Sequence, residues 1–600
     1  MNMRRALKAV WSRLKSAQDV VEDGGLALVD ARSLPEHVRI AAIALIVGML
    51  AGGAAILFRL VLEGVQFGFF GFSHGSILEL ARSLPWWHVM LAPALGGLAI
   101  GWFVHVLAYE RRTHGVPDVI IASLVERGKL PPKATVGAAL INAASAGVGA
   151  SVGREGPMVH LGASVGSLVG QRLHLSAYDT KTLLGCGVAA GIAASFNVPV
   201  AGTIFAFEVV LKRYSFQRLA PVVIAAVAGT AVSRLYYGDF PAWHVPERVF
   251  VSYWEFPAFA VLGLVCAVAA FLLMRSVELA SHFMDRSPIP RAMRPAVAGL
   301  GVGAIAVFLP EVLGVGYEAT DAALQESLPL AILIAIVAAK IVATGLSLGS
   351  GFGGGIFSPS VVVGAMTGGA FGIVATAAMP ELSSGHGAYM IVGMAAVAGA
   401  VLGAPFQAIL IIFEMTASYS LALAVMLATV ISAILVNDVL RIDFFSWQLK
   451  QRGIDLKAAI PQTVLGDISV RSLVRRDAPT VSAKAGSRAI ADAFVAAPVP
   501  ELLVVDNNGR LVGRLSYRDF AIKASANPLT LEALTADAIA TAQAQVLEAS
   551  DDASTAWLLF AENNTDRLPV VEDRASARLI GYLDKQDLLT AYHRVLTKTL

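Results

Sequence analysis

The chain has 600 residues, of which 56% are hydrophobic and only 15% charged, with 55 glycines and a mean hydropathy of +0.67. Ordinary soluble proteins carry about 25% charged residues, so the composition excludes a soluble globular protein and points to the membrane class. A formal net charge of +2 lends no support to a nucleic-acid partner.

The first stretch, MNMRRALKAVWSRLKSAQ, is basic but lacks the apolar core and small-residue cleavage site of a secretory signal. Its arginines and lysines lie near the first apolar run, so the positive-inside rule predicts that this end is cytoplasmic. Residues 1–38 are expected to be a cytoplasmic segment. Apolar runs able to cross a hydrocarbon core of roughly 30 Å recur throughout the first three quarters of the chain, for example at 40–60, 257–273, 328–346, 390–401 and 420–436. Several are short or interrupted by Gly and Pro. Irregular backbone at membrane depth is tolerated only where protein buries it or where it lines a cavity. The two cysteines, Cys186 and Cys266, sit inside apolar segments and read as packing residues, not as a disulfide framework.

Within this region ASVGREGPMVH (150–160) places Arg154 and Glu155 side by side. Ionisable groups at membrane depth are costly, so they are functional candidates by default, with an anion or a proton as the expected ligand. The membrane part also repeats itself. GVAAGIAASFNVPVAGTIFAFE (187–208) lies without a gap over GMAAVAGAVLGAPFQAILIIFE (393–414), pairing Pro199 with Pro405 and Glu208 with Glu414. Upstream, PMVHLGASVGSLVG (157–170) lies over PSVVVGAMTGGAFG (359–372) in the same order. Paired repeats of Gly/Pro-interrupted apolar segments point to a transport fold with its site at the repeat interface near the midplane. GREGP (153–157) and GSGFGGGIFSP (349–359) each lead into a predicted helix. Two helix N-termini carrying partial positive charge would then converge on an anion.

GREGP, GSGFGGGIFSPS with Lys340 upstream, and GAPFQAILIIFEMT resemble the CLC family of chloride channels and proton/chloride exchangers, over roughly residues 40–455. The resemblance implies an α-helical multi-pass membrane protein, a homodimer in which each subunit carries its own anion pathway. That pathway would be built from two inverted repeats of tilted, discontinuous helices, here about 40–240 and 255–440 within a transport domain of 39–455. It implies that Glu155 is the gating glutamate, whose carboxylate competes with the anion and leaves when protonated or displaced. It also implies that the backbone amides of Ile356 and Phe357 hold a central anion and those around Gly156 an outer one. Arg154 would support the local fold or raise the potential at the entrance.

Three positions depart from the family pattern. THGVP (113–117) puts His114 where the family has a serine that donates to the anion; an imidazole N–H can also donate, and an imidazolium would make occupancy pH-dependent. The alternative is a neutral His114 turned away to cap a carbonyl. Phe445 takes the place of an inner tyrosine, although Phe444 or Ser446 could fill it with a different gap. Val209 replaces the glutamate that carries protons in exchangers, with Glu208 as a possible substitute, although its repeat partner Glu414 argues for a structural role.

Beyond about residue 460 the composition turns to short strand-like pieces and charged helices. The tail repeats as strand, helix, strand, turn, strand, helix, and resembles a CBS pair, with halves at 462–526 and 528–600. The resemblance implies adenine nucleotide as a possible ligand held by Ser516, Asp519 and Asp587. In the second half, however, Asp584 replaces the hydroxyl residue, and an extra carboxylate would repel phosphate. A dimerising scaffold without ligand is the other reading.

A divalent-cation transporter would need clustered acidic groups, of which the membrane part has few. No nucleophile and base, metal-ligand spacing or phosphate loop supports an enzyme, and no cofactor is required. The expectation is therefore a voltage- or proton-gated chloride channel of the plasma (inner) membrane with both termini cytoplasmic. A proton/chloride exchanger is the alternative. Chloride and nitrate are both compatible with His114, and a fluoride specialist fits less well.

Overall fold

A computed structural model describes residues 36–599 apart from 72–76, 107–111, 213, 215, 240–250, 326–327, 417–420, 442, 455–464, 466–467, 498–499, 527–534, 542–544 and 564. The expected cytoplasmic segment therefore lies almost wholly outside the described residues. The membrane part is helical: α1 (Glu36–Phe70), α2 (Ile77–Ser83), α3 (Trp86–Val106), α4 (Val116–Leu124), α5 (Pro132–Gly147), α6 (Glu155–Arg172), α7 (Ala177–Phe196), α8 (Pro199–Phe205), α9 (Phe216–Tyr237), α10 (Phe256–Arg286), α11 (Arg294–Phe308), α12 (Tyr317–Gln325), α13 (Leu330–Ser350), α14 (Phe357–Ala378), α15 (His386–Leu402), α16 (Pro405–Thr416), α17 (Ala422–Ala433) and α18 (Phe444–Gln451). Among the described residues, eight helices are long and apolar enough to cross a membrane.

The run at 390–401 is not one of them. It belongs to α15, a 17-residue helix buried along nearly its whole length. A helix that is apolar all round is enclosed by protein or by lipid, and hydropathy alone does not separate the two. Helices α3, α9, α11 and α14 also qualify as spans.

The repeat is physical. Helices α7 and α15 end on left-handed residues, Asn197 (φ 61°) and Gly403 (φ 63°), which let the chain reverse at a helix C-terminus. Pro199 and Pro405 then open α8 and α16 at a position where a missing N–H costs nothing. In the first repeat α6 crosses α7 at Gly162 and Gly187, and a Cβ on either would collide with the other's carbonyl oxygen. In the second, α14 crosses α15 at Gly364 and Gly393 with the same mutual exclusion. Small residues at both crossings let the backbones touch, which is how helices pack where lipid removes the usual hydrophobic drive.

The tail holds two matching sheets. β1 (Thr480–Ser482) runs parallel to β2 (Glu501–Val505), which pairs antiparallel with β3 (Leu511–Ser516). β4 (Leu547–Glu548), β5 (Arg567–Val571) and β6 (Leu579–Asp584) repeat that order and sense. α19 (Ser487–Ala496) and α20 (Tyr517–Ala526) accompany the first sheet; α22 (Ala553–Asn563) and α23 (Lys585–Thr599) accompany the second, with the short α21 (Ala536–Ile539) between the halves. The second half touches the membrane part through an ion pair, Lys181 Nζ to Asp552 Oδ2 at 3.3 Å. Lys181 is 8% and Asp552 1% exposed.

Candidate functional site

The two repeats meet at the loops that open α6 and α14. Gly153 and Gly355 exchange backbone hydrogen bonds of 2.7 and 2.8 Å, a single antiparallel bridge between the repeats. Neither helix has a side-chain cap at its first turn, where Arg154 and Ile356 occupy the capping positions. Uncapped N–H groups and aligned peptide dipoles at both starts give a positive environment without full charges. A narrow cleft opens on these two loops, lined among others by Glu155, Gly156, Ile356, Phe357, His114, Phe444, Phe445 and Arg452.

The first residue of α6 fills part of this space. Glu155 is 3% exposed. Its Oε1 accepts from the Tyr317 hydroxyl at 3.1 Å and from the Ser358 hydroxyl, and the two hydroxyl oxygens lie 2.8 Å apart. Its Oε2 has no hydrogen-bond partner among the described residues and faces Gly153 and Gly355, where a Cβ at Gly355 would lie 3.1 Å from it. Arg154 turns away: Nη2 donates to the Ser195 carbonyl at 3.2 Å, and the guanidinium lies 4.7 Å from the Phe196 ring centre and 5.2 Å from that of Tyr317. Buried Lys340 donates to the carbonyls of Val312 and Gly314, in the loop that leads to Tyr317, at 2.9 and 3.1 Å.

His114 is buried and lines the cleft. Its Nδ1 lies 3.3 Å from Asp118 Oδ1, and its ring centre is 5.9 Å from that of buried His160, whose Nε2 has no hydrogen-bond partner among the described residues. The His114 Nδ1 thus faces a carboxylate. Asp118 gathers further donors: Arg112 at 2.6 Å, Arg452 at 3.0 Å and the Gly115 amide at 2.8 Å. Phe444 and Phe445 open α18 after Asp443 caps it, and both rings border the cleft.

Val209 is fully buried in the π-helical turn Ala206–Leu211 that continues α8. Glu208 beside it accepts from the backbone amides of Phe406 and Gln407 at 3.2 and 2.7 Å, at the start of α16. Glu414 makes the reciprocal contact, accepting from Val200 and Ala201 at 3.0 and 2.7 Å at the start of α8. In the tail, Asp587 is held by Arg475 Nε and Nη2 at 2.6 and 2.8 Å. Ser516 and Asp519 bond to each other at the start of α20, the side chains at 2.8 Å and the Asp519 amide to Ser516 Oγ at 3.0 Å.

Sequence reading brought Glu155, Gly156, Ile356, Phe357, His114 and Phe445 to one cleft. It missed Tyr317 and Ser358, which meet Glu155 from 162 and 203 residues away, and Asp118 and Arg452, which are 334 residues apart.

The pattern described as Voltage gated chloride channel matches residues 96–437, and that of the CBS domain matches 470–524 and 536–594. A putative chloride channel protein ClcB-like from Ralstonia nicotianae is 35% identical over 393 residues, 65% of this chain and 91% of the relative. Voltage-gated ClC-type chloride channel ClcB from Escherichia coli is 30% identical over 66% of this chain and 94% of its own. Among solved structures, a slow cyanobacterial Cl−/H+ antiporter superposes with TM-score 0.63 at 20% identity, covering 70% of this chain and 99% of that one. A eukaryotic CLC transporter does so with TM-score 0.60 at 19% identity, covering 92% and 98%. These last likenesses speak to the fold, which here extends over the tail as well. The chain is a multi-pass membrane protein that belongs to the voltage-gated chloride channel, or CLC, family and carries a pair of CBS domains.

Proposed function

We propose that this protein is an anion channel that conducts chloride or a similar anion as a homodimer, with Glu155 as the gate in each subunit. The carboxylate stands where the first turns of α6 and α14 offer N–H groups, and a carboxylate is the side chain that imitates a bound anion. Protonation or displacement by voltage-driven chloride frees the site. The amides of Gly156, Ile356 and Phe357 then hold the anion at two helix N-termini, each worth about half a positive charge. His114 and Phe445 border the same cleft, and Arg154 keeps the entrance positive.

The observation that carries the channel reading is Val209. A buried valine cannot bind a proton, and the neighbouring Glu208 is committed through both oxygens to the start of α16. The Arg/Lys-rich start of the chain supports cytoplasmic termini and the plasma (inner) membrane. The CBS pair acts as a regulatory or dimerising module; if adenine nucleotide binds, Ser516, Asp519 and Asp587 are the residues that meet it.

A second reading, proton/chloride exchange, is favoured by the buried imidazole pair His114 and His160, whose ring centres lie 5.9 Å apart, imidazole being a side chain that can relay protons. The reversal potential of the purified protein in bilayers separates the two. A potential at the chloride equilibrium value that ignores a pH gradient is expected; one that moves with the gradient in the coupled direction establishes exchange. Absence of any anion current or flux refutes both.

A further inference from the structure

We propose that Tyr317 and Ser358 form a latch that sets how long the Glu155 carboxylate stays in the pathway, a proposal that rests on the reading of Glu155 as the gate. Two hydroxyls from separate elements, the first residue of α12 and the first turn of α14, converge on one oxygen, Glu155 Oε1. They also lie 2.8 Å from each other. The surroundings give them no packing reason to be hydroxyls. Phe196 meets the Tyr317 ring edge-on at 6.2 Å and the Phe357 ring at 6.4 Å, so an apolar wall encloses the group. A buried hydroxyl in such a wall is unfavourable unless it is paired, and here the carboxylate is the partner of both.

The latch is anchored from behind. Lys340 ties down the carbonyls of Val312 and Gly314, so the chain enters Tyr317 from a fixed loop. The Arg154 guanidinium lies over the Tyr317 ring, 5.2 Å from its centre. The two carboxylate oxygens consequently differ. Oε1 is held by the latch, while Oε2 has no hydrogen-bond partner among the described residues and faces the bridge between Gly153 and Gly355. An arriving anion must break the Oε1 contacts to take the site. Tyr317 and Ser358 are positioning residues: they act on the anion through Glu155.

The test is chloride flux through the full-length protein in liposomes, measured against chloride concentration. Ser358→Ala and Tyr317→Phe should each lower the half-saturating chloride concentration about tenfold, the scale of one hydrogen bond to a charged group. Ser358→Thr, which keeps the hydroxyl, should restore the wild-type value and shows that the loss comes from the donor, not from misfolding. In a Glu155→Ala background the same substitutions should change nothing. Unchanged half-saturation in the Ser358→Ala and Tyr317→Phe proteins overturns the latch, as does an equal shift with and without Glu155, which would place the hydroxyls on the anion itself. If Glu155→Ala alone leaves flux and its chloride dependence as in the wild type, the gate reading fails, and the latch with it.

Discussion

Gly153 and Gly355 face each other across the repeat interface and exchange both backbone hydrogen bonds, yet a side chain on each would meet a different atom first. A Cβ on Gly153 would run into Glu155 Oε2, whereas a Cβ on Gly355 would press hardest on the Gly156 amide, at 2.9 Å, with Glu155 Oε2 beyond it at 3.1 Å. Two alanine substitutions at one bridge should therefore have opposite effects. Gly153→Ala evicts the carboxylate and should raise chloride efflux from liposomes at neutral pH. Gly355→Ala puts a methyl over an amide that would face the anion and should abolish efflux. Overpacking of this kind costs about 1–3 kcal/mol, so both proteins should melt lower than the wild type but remain folded. Equal effects on efflux would mean that the bridge is only a structural clamp.

Glu208 and Glu414 should be equivalent in stability and separable from transport coupling. Each carboxylate accepts two amides at the start of a short helix in the other repeat, the arrangement of an N-cap supplied from outside the helix. Loss of such a cap costs about 1 kcal/mol, with a further few tenths from the helix dipole. Glu208→Gln and Glu414→Gln should lower the melting temperature by similar amounts and leave the reversal potential unmoved by pH. A proton-dependent component that disappears in Glu208→Gln but not in Glu414→Gln would instead identify Glu208 as a proton carrier.

The contact between the tail and the membrane part should resist mild acid. Burial alone would raise the Asp552 carboxyl, but the Lys181 ammonium and donors from Ser554 and Thr555 outweigh it and hold it below the usual aspartate range. A carboxylate depressed in the folded state contributes stability above its unfolded value of about 4 and loses it only as pH falls through the lower folded value. Hydrogen exchange over α22, corrected for its intrinsic pH dependence, should be the same at about pH 7.5 and pH 5.5. Asp552→Asn leaves a buried ammonium without its charge partner, which costs about 3–5 kcal/mol, and should speed exchange there at both values. Release of α22 in the wild type at the lower pH would contradict this.

How much was legible in the sequence follows from the range of the interactions. The repeat could be read because its devices are local: a glycine at each helix crossing, a left-handed residue before each proline, a glutamate a few residues on. The loops around Glu155 were legible for the same reason. The Glu155 partners were not, because Tyr317 lies 162 and Ser358 203 residues away, and a lone tyrosine or serine in an apolar sequence carries no pattern. Asp118 and Arg452 are 334 residues apart. Hydropathy also failed in an instructive way at 390–401, where a helix wrapped by protein has the same apolar composition as one wrapped by lipid.

His114 is where the anion preference should be decided. Its Nδ1 is turned to Asp118, which two arginines and the Gly115 amide also hold, so the imidazole is fixed in orientation and borders the cleft. A serine at this position would retain a donor but would lose both the reach of the ring and its ability to take a proton. His114→Ser should therefore conduct, with a chloride-to-nitrate permeability ratio changed by about tenfold, the scale of one hydrogen bond to a charged group. His114→Ala, which has no donor, should raise the half-saturating chloride concentration by a similar factor. Bi-ionic reversal potentials measure the first and concentration-dependent flux the second. Asp118→Asn provides the control: if the carboxylate orients the ring, this substitution should move the same ratio in the same direction as His114→Ser. If selectivity is unchanged in all three variants, the ring is not in contact with the permeating anion.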